Sequence, residues 1–213
     1  RPALIVGTVY DDRNGDGDFD AGDTGIPGVV VTLSNGMTTT TDATGAYTFT
    51  VTPGVYTITE STPAGYFSTA DTDGANDDTI VVTVTSGSGS TGNNFLDAQP
   101  GIVEGVVYED TNGNGQQDAG EPGIPGVDVL VTDSAGVTYT LTTDANGQYS
   151  QTVPAGSTGI EIDETTLPAG LTQTEGTNPT TVSVPSGGTA SDVDGFQPPV
   201  GLVEGVAYEA TNG

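Results

Sequence analysis

The chain has 213 residues, 29 of them Asp or Glu against two Arg, and it contains no Lys, His or Cys, so its formal net charge is −27. Nothing in it can neutralise phosphates, which excludes nucleic acid as a partner, and an anionic membrane surface would repel it. Without Cys no disulfide staples the fold, and without His, Cys or Lys the usual catalytic bases and nucleophile partners are missing, so no enzyme is expected.

Taken in chain order, apolar residues recur with a period of two, the mark of half-buried strands. Val29, Val31 and Leu33 alternate with other residues, as do Tyr47, Phe49 and Val51, then Tyr56 and Ile58, then Ile80, Val82 and Val84. Turn signals at Asn35-Gly36, Thr44-Gly45, Pro53-Gly54 and Ala64-Gly65 separate these runs. Strands are therefore expected near 3–10, 28–33, 37–41, 45–51, 54–60, 79–85 and 93–97, with Ser86–Gly92 as a hairpin loop. About seven short strands in about 100 residues point to an all-β, antiparallel sandwich. No stretch carries a helical stripe. No apolar run is long enough to span a membrane, so neither membrane insertion nor a signal peptide is expected within these residues. Arg1 opens almost directly onto a strand, as in a mature or excised piece.

The pattern then repeats. Gly7-Thr-Val-Tyr10 returns as Gly105-Val-Val-Tyr108, and Gly25-Ile-Pro-Gly28 as Gly123-Ile-Pro-Gly126. Thr41-Asp-Ala-Thr-Gly-Ala-Tyr47 returns as Thr143-Asp-Ala-Asn-Gly-Gln-Tyr149, and Pro63-Ala-Gly65 as Pro168-Ala-Gly170. A third copy opens at Val203-Glu-Gly-Val-Ala-Tyr208. The expected units are residues 1–99, 100–199 and, as the first strand of a truncated third repeat, 200–213. The joins Asp97-Ala-Gln-Pro-Gly101 and Gln197-Pro-Pro-Val-Gly201 are short and carry Pro, which favours a semi-stiff string of domains.

Between the first two expected strands of each repeat lies a twelve-residue acidic loop: Asp12-Arg-Asn-Gly-Asp-Gly-Asp-Phe-Asp-Ala-Gly-Asp23 and Asp110-Thr-Asn-Gly-Asn-Gly-Gln-Gln-Asp-Ala-Gly-Glu121. Oxygen side chains fall at positions 1, 3, 5, 9 and 12 with Gly at 6, the ligand spacing of an EF-type calcium loop. Loop 1 would supply Asp12, Asn14, Asp16 and Asp20, the Asp18 carbonyl at position 7, and Asp23 to close the shell. Loop 2 would supply Asp110, Asn112, Asn114 and Asp118, the Gln116 carbonyl, and Glu121. Ca2+ is expected over Mg2+, which prefers a small octahedral shell with retained waters. The competing reading is an exposed acidic turn with no ion, in which the packed carboxylates repel one another. Flanking strands and the Gly-Ile-Pro-Gly break leave no helices to swing, so the loop reads as a fixed clamp rather than a sensor. Weak all-oxygen sites fit the millimolar calcium outside cells.

A second acidic stretch, Asp71 to Asp78, offers Asp71, Asp73 and Asp77 for a further ion, with Asp11 nearby; a solvated loop is its rival. Asp42 and Asp144 each precede a Gly-containing turn and read as turn-stabilising residues.

The run G-x-V-Y-x-D-x-N-G-x-G-x-x-D-x-G-x-x-G-I-P-G-V, followed by T-D-x-x-G-x-Y and P-A-G, resembles the SdrD B-like repeats of serine–aspartate repeat surface adhesins, within the Cna B-type, prealbumin-like group. The resemblance covers both repeats nearly end to end. It implies tandem Ig-like/prealbumin-like Greek-key sandwiches that bind calcium through these loops, and an extracellular stalk stiffened by the metal. Relatives locked by a Lys–Asn isopeptide bond have no counterpart here, because the chain has no Lys. The expected function is a calcium-stabilised structural repeat of an extracellular stalk or filament; the alternative is an adhesive module binding a glycan or host protein. Expected partners are neighbouring repeats of the same protein. Self-association into fibres is the variant, with the strand at Val200–Tyr208 either donated to another molecule or continuing into the next repeat.

Overall fold

The computed structural model describes residues 1–199; the third-repeat strand expected at 200–213 lies outside the described residues. The first half contains β1 (Ala3–Asp11), β2 (Thr24–Gly25), β3 (Val30–Leu33), β4 (Thr38–Thr40), β5 (Ala46–Val51), β6 (Gly54–Glu60), β7 (Phe67–Asp71), β8 (Thr79–Val84) and β9 (Phe95–Ala98). The second contains β10 (Gly101–Glu109), β11 (Asp128–Thr132), β12 (Thr138–Thr142), β13 (Gln148–Val153), β14 (Gly156–Ile162), β15 (Thr172–Glu175), β16 (Thr180–Val184) and β17 (Thr189–Gln197). The one helical element among the described residues is a 3-10 turn at Glu164–Thr166.

Each half is a two-sheet sandwich. In the first, β4-β3-β6-β8 faces a sheet ordered β2-β1-β9-β7, with β5 also paired to β1. In the second, β12-β11-β14-β16 faces β13-β10-β17-β15. Alternation decides what lies between the sheets: Ile5, Val9, Val31, Ile58 and Phe95 fill the first core, and Val103, Val107, Val129, Ile160 and Phe196 the second.

Three features depart from the sequence reading. One sheet of each half is mixed rather than purely antiparallel, because the last strand of each half runs parallel to its first, β9 along β1 and β17 along β10. The stretch Ser86–Gly92 is not a hairpin loop; it carries the chain from the β8 sheet to the β9 sheet, and Ser90 bridges Ile5 in parallel on the way. The strands β7 and β15, absent from the expected set, line the outer edge of β9 and β17 with a bulge in each. Their sequences, Phe-Ser-Thr-Ala-Asp and Thr-Gln-Thr-Glu, carry little alternation, and pairing with the closing strand supplies what local pattern lacks.

The repeated motifs are one hydrogen-bonded unit. The buried Thr41 hydroxyl donates to the Ile26 carbonyl (2.7 Å) and accepts from Val29 N–H (2.9 Å), tying the Gly-Ile-Pro-Gly corner to the start of the next hairpin. Thr143 does the same with Ile124 (2.8 Å) and Val127 (2.9 Å). The Asp42 carboxylate accepts from Thr44 N–H, the Thr44 hydroxyl and Ala46 N–H, and Asp144 accepts from Asn146 and Gln148 N–H, the turn role expected of both. Gly45 and Gly147 close these turns at φ of 77° and 74°, a conformation that strains any residue with a Cβ.

The halves meet at the first acidic loop. Ser186 Oγ donates to Asp11 Oδ1 (2.6 Å) and accepts from Gln99 N–H (2.8 Å), while Ser186 N–H donates to the Arg13 carbonyl (3.0 Å). Gly15 lies so close to the Ala155–Gly156 backbone that no Cβ would fit there.

Candidate metal centre

Both twelve-residue loops are organised by their first residue. Asp12 and Asp110 are fully buried, at 0% exposure, although both are carboxylates. Asp12 accepts from Gly15 N–H (2.7 Å) and Gly17 N–H (3.0 Å); Asp110 accepts from Gly113 (2.7 Å) and Gly115 (2.9 Å). Burial works to raise the pKa of Asp110, but the Gly115 N–H, the nearby Thr174 hydroxyl and the other loop amides outweigh it and hold the carboxyl below its usual range.

Positions 3, 5 and 9 converge in each loop. The Asn14 amide donates to Asp16 (2.8 Å) and Asp20 (3.1 Å), so one amide sits between two carboxylates. In loop 2, Asn112 and Asn114 both donate to Asp118 Oδ2, at 2.8 and 2.7 Å. Position 12 folds back over the start: Asp23 accepts from Arg13 N–H (3.1 Å) and Asp20 N–H (3.0 Å), and Glu121 from Thr111 (2.8 Å) and Asp118 N–H (3.0 Å). Burial raises the Asp23 pKa against these bonds, helped by the negative charges of Asp12 and Asp20. Position 7 is held by its own backbone, the Asp18 and Gln116 N–H groups donating to Asp16 and Asn114 at 2.9 Å each. In loop 1, Phe19 stacks edge-on against Tyr10, with ring centroids 5.8 Å apart, and pins the loop to β1.

The donor chemistry is all oxygen, which suits a hard cation. Among the described residues no three acidic side chains are drawn together into a finished cage; the loop oxygens are spent on N–H groups that a cation would displace. The loop backbones hold the expected oxygens in matching places in both repeats.

The other acidic stretch turns about Asp71, whose carboxyl lies beside that of Asp73. Asp71, buried, accepts weakly from Asp73 N–H (3.3 Å) and Asp77 N–H (3.4 Å), Asp73 accepts from Ala75 N–H (3.3 Å), and Asp77 turns to Thr79 (2.7 Å to its hydroxyl). Asp11 is not among them: it points to Ser186 and, at 3.6 Å, to Arg13.

Sequence reasoning missed a different set. Glu60 is 3% exposed and Asp97 is 0% exposed, and none of their four carboxylate oxygens has a partner; Asp78 Oδ1 is also buried and unpartnered. Burial, then the charges of Asp97 and Asp78, push the Glu60 pKa up to about 8. Burial, then Asp78 and Asp11, push Asp97 up to about 7. The signal was present: the alternation Tyr56, Ile58, Glu60 puts the acid on the inward face.

A profile of the SdrD B-like domain matches residues 3–98 and again 102–197. The chain belongs to the SdrD B-like domain family. It is 40% identical over 187 residues to serine-aspartate repeat-containing protein C of Staphylococcus aureus strain N315, and the same identity holds for that protein in strain Newman. The match covers 81% of this chain and 19% of that protein, so the chain spans about a fifth of the length of the relatives it matches. Among solved structures it is similar to GBS52, the minor pilin of Streptococcus agalactiae, at 14% identity and a TM-score of 0.39 over 96% of this chain and all of that one. It is also similar to the Bacillus anthracis TIE protein, at 14% identity and 0.38 over 92% and 34%. An SdrD B-like repeat is a structural unit of an extracellular surface protein, and this chain is two of them in tandem.

Proposed function

We propose that this chain is a calcium-stabilised part of a stalk or filament, stiffened by one Ca2+ in each twelve-residue loop. The observation that carries the reading is the repeated convergence of positions 3, 5 and 9 beside a fully buried Asp at position 1, in Asn14, Asp16, Asp20 with Asp12, and in Asn112, Asn114, Asp118 with Asp110. When bound, the ion supplies positive charge to a loop whose carboxylates otherwise face one another, backbone N–H groups and neutral Asn and Thr side chains. The loop closes over its own first residue and, in the first repeat, lies against Ser186 and the Ala155–Gly156 backbone, so an ion there stiffens both the repeat and the joint. Neighbouring repeats of the same protein are the partners this arrangement serves, and self-association into fibres is an extension of the same contacts.

Calcium binds the folded loop and not the unfolded chain, so at about 100 times its Kd it adds ~2.7 kcal/mol per site. For a domain of this size that is a rise of about 10–20 °C in midpoint. Thermal unfolding in millimolar calcium and then in excess chelator measures it. An unchanged midpoint overturns the proposal.

A further inference from the structure

Outside the two loops, the least compensated carboxylates among the described residues lie inside the first sandwich. Glu60 pairs with Val31 across β6 and β3, and Val31 is a core residue, so the Glu60 side chain shares its inward face. Asp97 sits two residues beyond Phe95 on β9, and Phe95 is also core, so Asp97 faces inward from the opposite sheet. Asp78 joins them from the loop before β8: its carbonyl accepts from Glu60 N–H (3.0 Å) and its Oδ2 from the Thr62 hydroxyl (3.0 Å), leaving Oδ1 buried and free.

The second repeat shows that the fold does not require acids here. Asp12 N–H bonds the Asp97 carbonyl as Asp110 N–H bonds that of Phe196, so Phe196 stands where Asp97 does. By the same register, β11 and β14 pair Val129 with Ile162, which occupies the place of Glu60. Two apolar core residues, Ile162 and Phe196, in one repeat are replaced by two buried carboxylates in the other.

Buried charges need a partner of opposite sign. The chain has no Lys, and Arg13, the one Arg near this end, is exposed and paired to Asp11. Neutralisation therefore comes from solution, as protons or as a cation that displaces them. We propose that Glu60, Asp78 and Asp97 form a divalent-cation site, distinct from both loops, at the end of the first sandwich that adjoins the second repeat. Three carboxylates offer up to six oxygens, within the range Ca2+ takes, and their mixed origin from two sheets and a loop favours its adaptable shell over the strict octahedron of Mg2+. The side chains draw closer together to complete the shell, since they do not yet form a cage. The bound ion ties the ends of β6 and β9 next to Asp11, whose carboxylate reaches Ser186, so it braces the joint from inside the first repeat.

The test is the number of ions per chain, by equilibrium dialysis of the 213-residue chain with Ca2+ near neutral pH, with Mg2+ as a second arm. The wild type is expected to bind one ion more than the two loops account for. Glu60→Gln with Asp97→Asn should lose one ion and leave the loop ions in place. Should that variant fold poorly by circular dichroism, Glu60→Ile, carrying the residue of the second repeat, serves instead. A wild type whose bound ions are all retained in Glu60→Gln with Asp97→Asn, or an extra ion lost only in Asp73→Asn with Asp77→Asn, overturns the proposal. If the loops bind nothing, a single ion sensitive to Glu60 still supports this site, so the two proposals fail separately.

Discussion

Replacing Glu60 by Ile, the residue at the matching place in the second repeat, should stabilise the metal-free first repeat, and more so as pH rises. Glu60 is 3% exposed, with both carboxylate oxygens unpartnered, and its pKa is lifted from 4.5 to about 8. A raised folded-state pKa means that the folded protein holds the proton more tightly than the unfolded chain. Stability from that proton is complete below about pH 4.5 and is lost as pH climbs through about 8. At ~1.4 kcal/mol per pKa unit, a shift of this size removes about 4 kcal/mol from the wild type between pH 5 and pH 9. The Ile variant has no such proton to lose, so its advantage should widen by about the same amount. Guanidinium unfolding in excess chelator at both pH values measures the difference, with the second repeat as an internal reference. An advantage that is equal at pH 5 and pH 9 would refute the idea that Glu60 carries a buried, uncompensated charge; so would destabilisation at pH 9.

Two further outcomes are expected. Thr41→Val removes the hydroxyl that links Ile26 to Val29 and leaves two buried backbone groups short of a partner. It should cost about 1–3 kcal/mol, read as a lower urea midpoint with an unchanged slope. Thr143→Val should do the same in the second repeat. Ser186→Ala deletes the hydroxyl shared by Asp11 and Gln99 while leaving both cores intact. NMR relaxation should show the two repeats tumbling more independently, with each midpoint nearly unchanged; tumbling equal to wild type would remove Ser186 from the joint.

The features legible in the chain were those whose physics is local. Alternation at Tyr47, Phe49 and Val51, or at Ile80, Val82 and Val84, follows from the pleat of a single strand, and these strands formed with core-facing residues as read. The twelve-residue loops were legible because their Gly and oxygen positions define a turn within one short segment, and Asp42 and Asp144 because a turn-capping carboxylate acts over two to four residues. Fold class and repeat followed from the same local signals recurring in order.

Pairing between distant segments was decided only in three dimensions. The parallel closure of β9 on β1 joins residues at opposite ends of a repeat, and no local pattern in Phe95-Leu-Asp-Ala98 distinguishes that partner from the neighbouring β8. The edge strands β7 and β15 exist because β9 and β17 offer them unpaired backbone groups, not because their own sequences alternate. Asp97 stands beside a Pro-containing join, where an acid reads as solvated surface; the parallel register turns it inward, opposite Glu60. Local chemistry in the sequence thus set the strands, the turns and the acidic loops. Alternation already turned Glu60 inward, but tertiary packing decided that Asp97 is cut off from water, because burial is a property of what the opposite sheet brings against a residue.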